Sequence, residues 1–306
     1  MISPPQIDVR RCDTDIVLRL YCTSPLVHGA FGEKAGNATL FRRHGVVSLP
    51  GHPRVPVVSG NALRGVMRRF LMRELFECTG LSRTSLPGPA WDRLYAAIAN
   101  GGHLDGSETR VDPDEIRALR DALPVLSVLG AALYSWMLPG HVKVGFLWPR
   151  CIETVSGWQV DPEGPEAPLH AEDLIEEISL CRHIDREHQD PQVSGVTPMP
   201  TTVEALSAGT VLESRIMFER HATDLEMSAL AHAAIGVITL GGKSGSGFGR
   251  VEIVRGSQLG DGGALYRAWL DSTADLGARL QSLAATLAPQ VKKAKGKAKT
   301  EAEAPL

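Results

Sequence analysis

An α+β fold is what this sequence predicts, on three observations. Polar and apolar residues alternate in part over 15–22, as a half-buried strand requires, and strand-like runs recur at 141–148, 210–219 and 250–255. Apolar residues at helical spacing fill 61–78, and a capping-box match at Thr223 opens a helix to about Leu240. The strands and helices alternate along the chain, and long segments rich in Gly and Pro (51 residues in all) separate them.

Each element carries its own signal. The first strand is followed by a Gly-rich, basic loop and then by Val55-Pro-Val-Val-Ser-Gly-Asn61. In the first helix Leu63, Val66, Met67, Phe70, Leu71 and Leu75 share one face. Ser59 is its natural N-cap, with an incomplete capping box because Ala62 stands where Glu would close it. Asp112-Pro-Asp-Glu115 starts another helix with Pro at its first position. The uncharged apolar run 123–138 is too short to span a bilayer and reads as a buried helix. Residues 156–207 read as irregular, acidic and Pro-rich, a functional insertion by their length. Thr223-Asp-Leu-Glu226 matches a full capping box, and a last helix is expected over 263–288. Without the insertions the order is strand, helix, strand, strand, helix, strand, the ferredoxin-like arrangement and also the frame of the RNA-recognition motif.

Charge is distributed unevenly. The net charge is −3, yet residues 34–73 hold eight Lys or Arg and no acid, while 153–190 hold eleven acids against Arg182 and Arg186. Forty residues of one sign on an acidic protein suggest a polyanion footprint, although a solvated face with clustered charge gives the same pattern. Within this stretch the helix start at Ser59, Gly60 and Asn61 offers unpaired backbone N–H groups and a positive dipole end to phosphate. Arg64 and Arg68, four apart, continue along one helix face. The same residues also read as an ordinary N-cap with a solvated Arg face.

The glycine-rich stretch 241–249 contains Gly-Lys-Ser, but Val237 stands where a Walker A loop needs its first Gly, and Ser246 denies it a nucleophile elbow. It remains a basic loop that either cradles a phosphate or turns the chain. His183 and His188 are five apart, where helical ligand pairs want three or four, so no metal is expected, and no cofactor. His28 has the chemistry of a general base, and equally of a hydrogen-bonding group. Five cysteines, none spaced as Cys-x-x-Cys, fit a reducing cytosol. With no apolar leader and no spanning segment, a cytoplasmic protein without a membrane partner is expected.

Three segments in this order resemble the RAMP superfamily of CRISPR proteins, its backbone subunits in particular. Val55-Pro-Val-Val-Ser-Gly-Asn-Ala-Leu-Arg-Gly-Val-Met-Arg-Arg69 is similar to the family's Ile-Pro-Gly-Ser-Ser-Leu-Lys-Gly-type helix start. Cys181-Arg-His-Ile-Asp-Arg-Glu-His188 is similar to the Ile-Asp-Arg stretch that opens the family's thumb, and Leu240-Gly-Gly-Lys-Ser-Gly-Ser-Gly-Phe-Gly-Arg-Val-Glu252 to its terminal glycine-rich loop. The Asn-Ala-Leu-Arg variant and the Phe41-Arg-Arg stretch look most like the backbone subunit of type IV complexes.

The resemblance implies one domain over 1–288: a palm at 15–78, 141–155 and 208–255, a helical insertion at 79–140, a thumb at 156–207 and a C-terminal helix at 263–288, before a disordered Lys/Glu/Ala tail at 289–306. It implies a guide RNA as ligand, a complementary DNA or RNA strand, further copies of the chain stacked head to tail into a filament, and other CRISPR effector subunits. Its RNA-binding residues would be Ser59, Gly60, Asn61, Arg64, Arg68, Lys243, Ser244 and Arg250, with Arg42 and Arg43 from the basic loop and Arg182 and His183 from the thumb base. RNA-cutting relatives place an Asp in the loop after the first strand. Here the comparable residue is Asn37, with Glu33 the nearest acid, so no catalytic residue is expected. The competing expectation is a RAMP-type endoribonuclease acting on guide precursor or target RNA.

Overall fold

The structure, a computed structural model, describes residues 16–35, 38–86, 88–104, 112–133, 136–181, 200–219, 222–254, 261–272 and 275–286. It is a mixed α+β architecture whose strands pair antiparallel except for one parallel pair in the second sheet. In chain order, β1 (Ile16–Cys22) is followed by β2 (Gly29–Ala35), β3 (Ala38–Phe41), the hairpin β4 (Arg43–Gly45) and β5 (Arg54–Pro56), and helix α1 (Gly60–Thr79). Then come α2 (Pro89–Asn100), α3 (Pro113–Ala122), α4 (Pro124–Leu129), the hairpin β6 (Ala131–Leu133) and β7 (Trp136–Leu138), β8 (Val142–Val144), β9 (Trp148–Pro149) and α5 (Ile152–Ser156). The rest is β10 (Ile175–Leu180), β11 (Thr201–Leu206), β12 (Val211–Phe218), α6 (Asp224–Ile235), β13 (Val251–Ile253), α7 (Ala264–Ser272) and α8 (Leu276–Thr286).

The main sheet has the order β13-β1-β12-β8, every pair antiparallel, with β9 also on β12. Counting only β1, β8, β12 and β13, the spatial order is fourth, first, third, second, with α1 and α6 in the two crossovers. The alternation in β1 turns Ile16, Leu18, Leu20 and Cys22 inward. They pack with Leu212 and Ile216 of β12, Leu63, Met67 and Leu71 of α1, and Ala229, Leu230 and Ala233 of α6. Ordinary capping sets both helices. Ser59 Oγ accepts the Ala62 N–H at 3.3 Å, and Thr223 with Glu226 completes the expected capping box.

The opposite face of this sheet is polar and partly closed. Glu213 of β12, 1% exposed, accepts Arg19 Nε at 2.8 Å, an Arg150 guanidinium N–H at 3.1 Å and the Asp161 backbone N–H at 2.6 Å. Arg19 reaches Asp161 as well, at 3.0 Å. Two cations and two carboxylates therefore seat the segment after β9 over the middle of the sheet.

Four expectations need correction. The basic stretch after β1, read as a loop, contains β2 to β5. The insertion at 156–207, read as irregular, contributes β10 and β11, which join β3 and β2 in a second sheet of order β10-β11-β3-β2. Val203 and Ala205 point inward there, onto Val27 and Phe248. The run 123–138 is helical only to Leu129, because Gly130 turns the chain at φ 65°. A Cβ there would meet Gly140 N at 2.3 Å, so only glycine fits, and 131–133 pair with 136–138 as antiparallel strands instead. The last helix is two, α8 starting where Asp275 accepts the Arg279 N–H. The tail 289–306 lies outside the described residues.

The face of α1 that carries Arg64 and Arg68 packs inward, against expectation. Arg68 is 6% exposed and donates to Ala97 O at 3.2 Å, Leu129 O at 2.9 Å and Gly130 O at 2.7 Å. Arg64, half-buried, donates from Nε to Leu129 O at 3.1 Å. Carbonyls at helix C-termini lack intrahelical partners and carry the negative end of the dipole, so α2 and α4 both end on these cations. Burial, with Arg64 beside it, pulls the Arg68 guanidinium down to about 10, still charged at neutral pH. Arg68→Ala should therefore cost about 2–3 kcal/mol in urea unfolding, by removing the buried guanidinium and its hydrogen bonds to these carbonyls. A solvated phosphate contact would change stability by less than about 0.5 kcal/mol, and that result would restore the original reading.

Candidate nucleic-acid interface

The start of α1 is held by the chain leaving β1. Ser59 donates its backbone N–H to His28 Nε2 at 3.2 Å. That bond requires a lone pair on Nε2, so the imidazole is neutral with its proton on Nδ1. Burial, reinforced by the Arg42 guanidinium, lowers the His28 pKa in the same sense. Gly60 serves packing: a Cβ would lie 2.2 Å from Val144 O of β8, so the close approach it permits is to a strand. Asn61 is exposed, and the first N–H groups of the helix, on Gly60 and Asn61, have no intrahelical acceptor.

Arg42 sits beside this helix start. Its N–H donates to His28 O at 3.0 Å, and its carbonyl accepts the Val57 N–H at 2.9 Å. Its half-buried guanidinium lies close enough to disfavour protonation of both His28 and His44, and has no side-chain partner among the described residues. Arg43, the adjacent candidate, is spent differently. It makes a bidentate pair with Glu204 of β11, at 2.7 and 3.1 Å, and Glu204 also accepts the Phe41 N–H at 2.6 Å. Burial alone would raise the Glu204 pKa; Arg43 and Phe41 outweigh it and hold the carboxyl below its ordinary value. Arg43 thus joins β4 to the second sheet, a structural role that competes with its expected RNA contact.

The glycine-rich loop docks on the same strip. Gly242 N–H donates to Val27 O at 2.8 Å, Gly249 N–H to Pro25 O at 2.7 Å, and Arg250 N–H to Ser24 Oγ at 2.9 Å. Phe248 is buried under the loop, while Lys243 and Ser244 stand exposed at its tip and Arg250 at its base. Lys243 has φ 58°, a left-handed turn that tips the loop outward. The six residues Thr23 to His28 thereby bring together Lys243, Ser244 and Arg250 on one side with Arg42, Ser59, Gly60 and Asn61 on the other. Arg64 and Arg68 are not part of this surface. Arg182, His183 and Asn37 lie outside the described residues, as does the side chain of Glu33.

Reading the sequence missed a set of rings next to this strip. Val58 and Leu147 exchange backbone hydrogen bonds at 3.0 and 2.9 Å, which places Phe146 and Trp148 beside the N-cap of α1. His44 of β4 contacts Phe146 at 4.8 Å between centroids, and the two aromatics are 6.3 Å apart. Their only sequence signal was period-two spacing in a segment read as a strand. Among the described residues there is no cluster of three metal-ligating side chains, and no helix is long and apolar enough to cross a membrane.

Comparison with known proteins assigns the fold. A chain of a solved structure described as "Type IV-B CRISPR Complex" superposes with a TM-score of 0.54 at 18% identity, over 78% of this chain and 89% of that one. This protein has the fold of that CRISPR-complex chain. A chain of "Cryo-EM structure of the Type III-B Cmr-beta bound to cognate target RNA" aligns over 79% of this chain and 59% of its own at 10% identity, with a TM-score of 0.39. No family model and no curated protein matches the sequence.

The His28 contact makes a pH-dependent prediction. A second proton on the imidazole would set two donors, Nε2–H and Ser59 N–H, against each other. The folded pKa lies below the ordinary 6.5, so below that pH the unfolded chain binds the extra proton and stability falls, whereas above it nothing is lost. Wild-type melting temperature should drop between pH 7.5 and 5.5 by more than that of His28→Asn. Parallel curves would show that His28 is not held neutral.

Proposed function

We propose that this chain is a non-catalytic guide-RNA-binding backbone subunit of a class 1 CRISPR effector ribonucleoprotein, of type IV kind. Its strand order and paired crossover helices support a ferredoxin-like, RNA-recognition-motif-like palm, with the α2–α4 region as helical insertion and the β10–β11 region as thumb base. The observation that carries the reading is the convergence of α1's start, Arg42 and the Lys243 loop on one strip, in a fold shared with a CRISPR-complex chain. Free backbone N–H groups and unpaired cations read a phosphate backbone without reading bases, as a subunit that must accept any guide requires. A complementary strand, further copies stacked head to tail, and other effector subunits are the partners this reading entails.

The nuclease alternative is disfavoured by how His28 is used. A general base needs a free lone pair within reach of the attacking hydroxyl, and the Nε2 lone pair is already engaged by Ser59.

One experiment tests both parts. The full chain is titrated with single-stranded RNA across salt concentrations, then loaded with guide and given a labelled complementary RNA and magnesium. Arg42→Ala and Lys243→Ala should each shrink the log–log salt slope by roughly 0.7, and the labelled strand should stay intact. An unchanged slope in a folded double variant overturns the interface; discrete cleavage products overturn the non-catalytic assignment.

A further inference from the structure

Three rings form a cluster at the edge of the main sheet. Phe146 is 40% exposed although it sits between a buried residue, Leu147, and the loop from β8. His44 approaches it at 4.8 Å with 48° between planes, and Trp148 meets the two at 6.3 and 6.4 Å, near edge-on. A large apolar ring held on both sides yet left open to water is a preformed stacking surface, because its rotamer is already fixed. The surroundings favour an anion: Arg42 and Arg54 both lie close enough to disfavour protonation of His44, after burial itself. The imidazole is thus kept as a neutral ring beside two guanidinium groups.

We propose that His44, Phe146 and Trp148 form a stacking site for one unpaired nucleobase of a single-stranded RNA, with Arg42 and Arg54 on the flanking phosphates. The inference rests on the RNA-binding reading above and adds to it a base contact where that reading has only backbone contacts. The placement is mechanically apt. Leu147, between the two aromatics, is bonded to Val58, so a phosphate at the start of α1 and a base on Phe146 belong to adjacent positions of one strand. The middle of the main sheet, where a bound base would otherwise lie across β1 and β12, is closed by Arg19, Glu213 and Arg150. A base stacks through its π-face whatever its identity, so the site tolerates any sequence.

The test compares two probes on the full chain: a mixed-sequence oligoribonucleotide and an abasic ribose-phosphate polymer of equal length. Phe146→Leu keeps apolar packing against Trp148 and removes the aromatic face; Phe146→Ala removes both. Wild type should bind the oligoribonucleotide roughly tenfold or more tightly than the abasic polymer. Both variants should lose most of that preference while binding the abasic polymer as wild type does. If wild type binds the two probes equally, or Phe146→Leu keeps the full preference, the rings are only a clip between β4 and β9, and the stacking site is wrong while RNA binding stands. If wild type binds neither probe, RNA binding itself falls, and the stacking site with it.

Discussion

Six residues leaving β1, Thr23–His28, exchange hydrogen bonds with nearly every element that carries a candidate ligand-binding group. Thr23 donates to Arg250 O and Leu26 exchanges both backbone bonds with Leu206; Pro25 O and Val27 O accept from Gly249 and Gly242. His28 takes the Arg42 N–H on its carbonyl and the Ser59 N–H on its ring. Such a strip has little freedom to relax, since moving any one partner breaks a bond to another. The two sheets, the start of α1 and the glycine-rich loop are therefore fixed relative to one another through backbone groups and the His28 ring. That is how exposed side chains on loops come to be pre-positioned, with little ordering left to do when a ligand arrives.

α1 shows how one helix divides its roles. Its N-terminus, with Ser59 to Asn61, faces outward, while its next two turns use Arg64 and Arg68 to complete the C-termini of α2 and α4. Both ends of the arrangement rest on the same property of helices, the unpaired backbone groups at their termini. A cation ends α4 from within the protein; the proposed phosphate would end α1 from without. The helical insertion is thus tied to the candidate surface through α1 itself.

How much of this was legible follows from the range of each interaction. The N-cap at Ser59, the Pro-led helix start at Asp112, the capping box at Thr223 and the apolar face of α1 are local, and each stood out within a few residues. The second sheet was hidden because β3 is four residues long and pairs in parallel with β11, more than 160 residues away. Nothing near either strand announces that partner. The helix over 123–138 failed for a different reason: Gly130 is tolerable in a helix by composition, and only the close backbone of Leu138 and Gly140 makes it a turn. The site was half legible. Charge and glycine patterning picked out the helix start at Ser59 and Asn61 and the basic loops that hold Arg42 and Lys243, whereas the direction in which Arg64 and Arg68 point depends on carbonyls up to 65 residues further along the chain.

What separates the structural cations from the candidate ligand-binding ones is whether geometry already matches their charge. Arg19 and Arg150 face Glu213 and Asp161, two against two, so these four charges cancel over the middle of the main sheet. Arg43 is matched by Glu204, and Arg64 and Arg68 by carbonyl oxygens. Arg42, Arg54, Lys243 and Arg250 have no such partner among the described residues. A field at the surface comes from the unmatched charges, since paired ones cancel within a few ångströms and contribute little beyond the Debye length. Arg43, Arg64 and Arg68 among the eight basic residues of 34–73 are thus matched within the fold, and Arg69 and Arg73 stand further along α1; beside the rings, the unmatched charge narrows to the Arg42 side of α1's start and the tip of the glycine-rich loop. A narrow track of that kind suits a single strand better than a duplex, because one phosphate backbone with its bases turned aside presents a line of charge, where a double helix presents a broad face.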